Sequence, residues 1–169
     1  MAELYLAREP YDDDAKAWLA RSGHYLDNPP PGALFCVVAR RAVPGLFGPV
    51  GGGRVGMVLV GRPVARALPQ DGSVGEVTRL VCVDAPYGTP SALLRAAAEE
   101  ATRRGMAAII SYHDRTKHTG CVYRKAGFRK DGVVEPKPGA WGSRTGRRSA
   151  NYDAAPKRRW RLDLRTHRA

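Results

Sequence analysis

The sequence is short of acids and of cysteine, and it has no long apolar run. Only 16 Asp and Glu stand against 28 Lys and Arg, so the formal net charge is +12. That balance says nothing of the fold, but it excludes a strongly acidic partner-mimic and points to a polyanionic partner. Cys36, Cys82 and Cys121 are an odd, scattered set without CxxC spacing. A disulfide framework is therefore excluded, and three reduced core thiols in a cytoplasmic protein are expected. No stretch approaches the roughly 18 apolar residues of a membrane span. The N-terminal MAELYLAREPYDDD also lacks the basic-then-apolar form of a signal peptide. At 169 residues the chain fits one domain with a proper core.

What is present is a βαβ pattern between Glu76 and Gly132. Val77 to Val83 is an apolar, β-branched run ended by Asp84-Ala85-Pro86, and it predicts a buried strand. Thr89 is placed to cap a helix with Pro90 in its first turn, and LLRAAAEEATRR carries that helix to Gly105, a left-handed stop. Ala107 to Tyr112 is a second buried strand. A short helix over Gly120 to Ala126 ends at Gly127, and Phe128 opens a further strand. Parallel strands joined by a helix bind ligands at their carboxyl ends.

Around this unit, Tyr11 to Ala20 reads as an amphipathic helix with acids first. Leu34 to Arg40 and Val55 to Val60 read as strands, Val43 to Gly53 as a glycine-rich loop, and Leu68 to Gly72 as a turn. Residues 136–159 are too rich in Gly, Pro and Arg to pack alone, whereas Trp160 to Leu164 alternates like a closing strand. The expectation is one domain over 1–169, with 136–159 a basic insertion before the last strand.

Strand, turn, helix, strand and then Tyr-x-x-x-Gly-Phe, from Tyr123 to Phe128, resembles the core of the GNAT acyltransferase superfamily. Within it, EVTRL followed by ISYHDRTKHTGCVY is similar to the phage Mom-type DNA-modification proteins. The resemblance spans roughly His24 to Trp160. It implies an α/β fold of GNAT type, a mixed central sheet flanked by helices. It also implies an acyl-CoA donor, acetyl-CoA or a relative, with Arg79, Val81, Val83, Tyr87, Gly88, Thr89 and Ser91 around it. The physical basis is general, because free N–H groups and the positive end of a helix favour phosphate. The Ala85 to Ser91 loop keeps only Gly88, Thr89 and Ser91 of the superfamily's phosphate-binding pattern, so a plain strand-to-helix turn is the alternative. Charges on a core strand are costly unless paired, so Arg79 is expected to meet a phosphate or a carboxylate such as Glu76.

In many GNAT enzymes a tyrosine at the position of Tyr123 protonates the departing CoA thiolate, and its alternative is a packed aromatic. In Mom-type proteins a His-Tyr pair and an Asp are implicated in iron binding, which here are His24, Tyr25 and Asp114. Imidazole, phenolate and carboxylate are fitting iron ligands. Asp114 as a helix cap, and His113 or His118 as a general base or phosphate contact, are the alternatives. The basic C-terminal quarter interleaves Trp141, Tyr152 and Trp160 with cations, a composition suited to phosphates and exposed bases. Candidate DNA contacts are Arg62, Trp141, Ser143, Arg144, Arg147, Arg148, Lys157 and Arg158; the alternative is a solubilising tail.

The function implied by the resemblance is modification of adenine N6 in DNA, by carbamoylmethyl or acyl-type transfer. DNA, an acyl donor and a second copy in a homodimer are the expected partners, in the cytoplasm, the host's if phage-encoded, with no membrane. Two alternatives stay open: an acetyl-CoA-dependent N-acetyltransferase acting on a protein or small-molecule amine, and a non-catalytic DNA-binding relative.

Overall fold

A computed structural model describes residues 4–24, 29–43, 45, 50–135 and 155–164. Seven strands form one sheet in the order β1-β2-β3-β4-β5-β7-β6. They are β1 (Leu4–Glu9), β2 (Phe35–Val43), β3 (Val50–Gly61), β4 (Val74–Cys82), β5 (Ala108–Asp114), β6 (Arg129–Val134) and β7 (Lys157–Asp163). Helices α1 (Asp13–Arg21), α2 (Thr89–Arg103) and α3 (Cys121–Lys125) complete the fold. Every strand pairing is antiparallel except β4 with β5. The βαβ unit expected from the sequence is thus present, as β4-α2-β5.

The two faces of the sheet bury different cores. Val37, Val58, Val60, Val77, Ile109 and Trp160 pack with Leu93, Leu94 and Ala97 of α2 and Tyr123 of α3. On the opposite face Cys36, Val38, Met57, Leu59 and Val81 pack with Ala15 and Leu19 of α1. Period-two alternation along the strands assigns each side chain to one face or the other.

The structure moves several boundaries. β1 was not read as a strand from the sequence. β3 begins at Val50, so Gly51, Gly52 and Gly53 lie in a strand rather than a loop. Gly88 in the left-handed conformation (φ 91°), not Thr89, is the N-cap of α2. β7 starts at Lys157, so Lys157, Arg158 and Arg159 belong to the sheet and not to an insertion. Cys121 is exposed, not a core thiol; burial pushes Cys36 up to about 12 and Cys82 up to about 11, which keeps both as thiols. Among the described residues no helix is long and apolar enough to cross a membrane.

Candidate active site at the divergence of two parallel strands

β4 and β5 pair only from Val74–Ala108 to Val77–Ser111. Both strands continue beyond that point. β4 runs on to Cys82, still paired through Arg79–Cys82 with β3, and β5 runs on to Asp114, still paired with β7. The sheet therefore divides at its middle, and among the described residues the facing edges of 78–82 and 112–114 have no strand partner. Peptide N–H and C=O groups seek partners, so such an edge suits an extended ligand carrying amides. A register shift where Leu59 faces Arg79 and Val60 faces Val77 leaves Thr78 as an extra residue. This β-bulge re-aims the side chains that follow it.

At the end of the β4 arm, the chain turns through Gly88 into α2. Pro90 lies in the first turn, no acidic residue is there, and no side chain caps the helix. The Thr89 hydroxyl donates to Pro86 O at 2.6 Å and the Ser91 hydroxyl to Gly88 O at 3.0 Å. Both hydroxyls thus shape the turn and leave the positive end of the helix unopposed, the condition that favours phosphate. Tyr87 is exposed, with its phenol hydrogen-bonded to the Lys125 ammonium.

Beside the β5 arm on the α2 face lies an aromatic stack. Tyr123, His113 and Trp160 form a triangle of rings, with centroids 5.8 Å (Tyr123–His113), 5.4 Å (Tyr123–Trp160) and 5.8 Å (His113–Trp160) apart, and Phe128 meets Tyr123 edge-on. The Tyr123 hydroxyl is 3.0 Å from Ser111 Oγ, the last β5 residue before the strands part. Trp160 Nε1 donates to His113 Nδ1 at 2.6 Å. Indole can only donate, so Nδ1 must be bare and the imidazole neutral with its proton on Nε2. Burial also lowers the His113 pKa, helped by His118, Arg158 and Arg115 and opposed by Asp114. His113 is consequently a structural member of the stack rather than a general base.

On the α1 face the same divergence carries Glu76, Arg79, Tyr112, Arg159 and Lys157. Glu76 is 7% exposed and accepts from Val64 N–H at 2.9 Å. Burial raises its pKa, with the Val64 N–H and the charge of Lys157 opposing. Tyr112 has its pKa raised by burial and by Glu76 and Asp131, while Arg159 works the other way. Arg159 pairs with Asp131 at 2.8 Å. A buried carboxyl with a raised pKa, one residue before the gap, is poised to take up a proton.

No family model matches the sequence, and no curated protein matches it. Solved structures do. An IAA acetyltransferase from Bacillus cereus superposes with a TM-score of 0.62 at 15% identity, covering 96% of this chain and 100% of its own. A Bacillus subtilis acetyltransferase in complex with CoA gives 0.60 at 16% identity, with 96% and 100% covered. A GNAT family acetyltransferase from Elizabethkingia anophelis with acetyl-CoA bound gives 0.61 at 12%, with 95% and 98% covered. The fold is that of the GNAT acetyltransferases. None of these three is a DNA-modifying protein of the Mom type.

Within this GNAT fold the residues singled out from the sequence separate into groups. Gly88, Thr89 and Ser91 meet at the α2 N-terminus, with Tyr87 beside them. Val81 and Val83 turn their side chains to the α1 core, so only their backbone borders the gap. Arg79 also faces α1, away from the α2 end, and donates from Nη1 to Thr78 O at 2.7 Å. Tyr123 stands by the gap. Asp114 is the last residue of β5 rather than beyond it, 1% exposed, and accepts from Thr116 N and Oγ1 at 2.7 and 2.6 Å. It therefore shapes the turn after β5 and caps no helix; the cap of α3 is Gly120.

The iron site finds no counterpart among the described residues, where no three His, Cys, Asp or Glu side chains gather as a metal-binding group. Asp114 is committed to its turn and to Lys117, 3.7 Å away, and Tyr25 lies outside the described residues. His118 is exposed, its N–H bonded to Asp114 O. Arg62 is exposed at the end of β3. Trp141, Ser143, Arg144, Arg147, Arg148 and Tyr152 lie outside the described residues. Trp160, read as an aromatic for stacking on bases, is 1% exposed and belongs to the core. Its alternation with polar neighbours was visible in the sequence, and the parity that buries it was the available signal. Glu76 was noticed only as a partner for Arg79; an acid inside a β-branched strand was the mark of its importance.

Proposed function

We propose that the protein transfers an acetyl group from acetyl-CoA to a primary amine. The observation that carries this is the end of β4–β5 pairing at Val77–Ser111 while both strands run on. The unpaired edge of 78–82 suits the amides of an extended pantetheine arm, and the uncapped α2 N-terminus suits the pyrophosphate at its end. The thioester supplies an activated acyl group. Tyr123 borders the gap from the α2 face and Glu76 from the α1 face. Donor and amine thus approach from opposite faces, with the break between them.

In this arrangement Glu76 accepts the proton that the amine gives up as its nitrogen bonds to the acyl carbon. Tyr123 donates a proton to the sulfur as the C–S bond breaks. The Ser111 hydroxyl, 3.0 Å from the phenol oxygen, holds that phenol in place. Neutral His113 and Trp160 fix the ring plane.

The test is calorimetric titration with CoA, followed by thiol release from acetyl-CoA with a panel of amines. Micromolar CoA binding and amine-dependent release are expected; Tyr123→Phe should lower kcat by roughly 10²-fold with CoA affinity retained. An absence of CoA binding by folded protein would overturn the reading. Acyl transfer to adenine N6, the acceptor that the Mom-type resemblance implies, has less support, since the neighbours named above are acetyltransferases. Mass spectrometry of nucleosides from treated DNA decides between the two acceptors.

A further inference from the structure

We propose that the acceptor is an amine bearing its own carboxylate, as an amino acid does, and that Lys157 holds the carboxylate while the amine meets Glu76. This acceptor class rests on the acetyl-transfer reading above. Strand pairing puts the residues concerned on one face. Glu76 lies opposite Ile110, Tyr112 opposite Arg159, and Asp114 opposite Lys157. Val77 and Trp160 turn toward α2, so alternation sends Glu76, Tyr112, Arg159 and Lys157 to the other side. The core beneath α1 is drawn from β2, β3 and β4, so that among the described residues this helix stops short of β7. Tyr112, Lys157 and Arg159 are each partly exposed there. An amine that reaches Glu76 along this face passes Lys157.

Of the three cations on that side of β7, two are claimed. Arg159 pairs with Asp131 at 2.8 Å and Arg161 with Asp163 at 2.6 Å. Lys157 has no carboxylate within ion-pair distance among the described residues. Asp114, across the ladder from it, is buried and accepts from the Thr116 N–H and hydroxyl. The charge of Lys157 is nevertheless felt at Glu76, and that of Glu76 at Tyr112, so the three groups share one neighbourhood.

The charges select the acceptor. A plain alkylamine arrives as an ammonium, which Lys157 repels. A carboxylate within a few bonds of the nitrogen removes that penalty and gives the lysine a charge-assisted partner. The acceptor is then held at two points, with its nitrogen turned to Glu76 and to the break between β4 and β5. Discrimination against an uncharged analogue follows, because that analogue leaves the lysine without its anion.

The experiment is thiol release from acetyl-CoA by the full chain, with each common L-amino acid compared with its own carboxamide. Rates are expressed per neutral amine, because amidation lowers the pKa of the ammonium. Calorimetric titration of the same pairs into CoA-loaded protein reads binding without turnover. The acid should be preferred by at least about tenfold in kcat/KM, mainly through KM, and should bind more tightly. Lys157→Gln should remove the preference and Lys157→Arg should keep it, with melting temperatures showing that both variants fold. Glu76 serves acid and amide alike, so a lysine that only tunes Glu76 would slow both and leave their ratio intact. A ratio near one in the parent, or a ratio unchanged in Lys157→Gln, overturns the proposal. Amides acetylated as well as acids would sink this acceptor class and leave acetyl transfer standing. No thiol release with any amine, and no carboxylate-dependent binding, would sink both.

Discussion

The two ends of the sheet are held by different forces. At the β1 end, charges are interlocked: Glu9 pairs with Arg40 at 2.5 Å and Arg54 at 2.7 Å, and Arg54 reaches Asp14. Glu100 on α2 collects Arg8, Arg103 and Arg104. At the β7 end a cluster of His113, Tyr123, Phe128 and Trp160 supplies the buried cohesion, Arg129, Arg159 and Arg161 share Asp131 and Asp163, and among the described residues Arg115, Lys157 and Arg158 have no carboxylate within ion-pair distance. A cation inside an acid's network is a structural part, whereas one without it is available to a ligand. The difference teaches how to sort 28 basic residues that look alike in sequence.

The largest effect should come from breaking each end by its own means. Gly120 has φ +75°, and a Cβ there would come within 2.5 Å of Trp160 Cζ2 and 2.7 Å of His113 Cε1. Gly105 has φ +73° with nothing within 4 Å. Gly105→Ala should therefore cost only the left-handed backbone, about 1–2 kcal/mol. Gly120→Ala should cost a further 1–3 kcal/mol, roughly, because the stack must shift. Chemical denaturation of both variants measures the gap; equal losses would refute the tight seat of the stack.

Glu9→Ala should cost roughly 2–4 kcal/mol, since it leaves Arg54, whose side chain is only 7% exposed, with the exposed Asp14 as its remaining carboxylate. By contrast Arg158→Gln should change stability by about 0.5 kcal/mol or less, as expected for a charge outside any ion pair among the described residues. Equal costs would erase the distinction between the ends.

Acid should loosen the β1 end. Burial opposes ionisation at Glu9 and Glu100, but the bonds and charges of their arginines outweigh it, so both pKa values fall below the ordinary 4.5. A carboxyl with a depressed folded pKa contributes stability above its unfolded pKa and loses it as pH falls through the folded one. Hydrogen exchange below pH 4.5 should thus show β1 and the end of α2 losing protection. The smallest effect concerns Glu76, where the sign reverses. Its folded pKa is raised, so its contribution is complete below the unfolded pKa and declines as pH rises toward the folded one. Glu76→Gln should therefore be more stable than the parent at pH 7 and equal to it near pH 4, while losing amine acetylation.

What was legible in the sequence was what is settled locally. The apolar run of β4, Pro90 and Gly105 bounding α2, and the Tyr123-to-Phe128 segment each declare themselves within a few residues. β1 did not, because LYLARE is a half-exposed edge strand stabilised by its pairing with β2 and by distant arginines. The candidate site was half legible. Tyr123 and the Gly88-to-Ser91 turn follow from their neighbours in sequence. The neutrality of His113 depends on Trp160, 47 residues away, and no local pattern contains it.

The extra residue at Thr78 acts on β4 as a frameshift acts on a message. Positions 76 and 79 would point to opposite sides of a regular strand, but the inserted unit changes the phase between them. Glu76 and Arg79 therefore share one side, while Leu80 and Cys82 return to the other. Deleting Thr78 would straighten the strand and leave each side chain downstream on the side it already occupies, whereas a regular strand that kept Thr78 would send an arginine into the oily layer beneath α2 and two apolar side chains out of it. The chemistry of this enzyme candidate is thus written partly in where the strand miscounts.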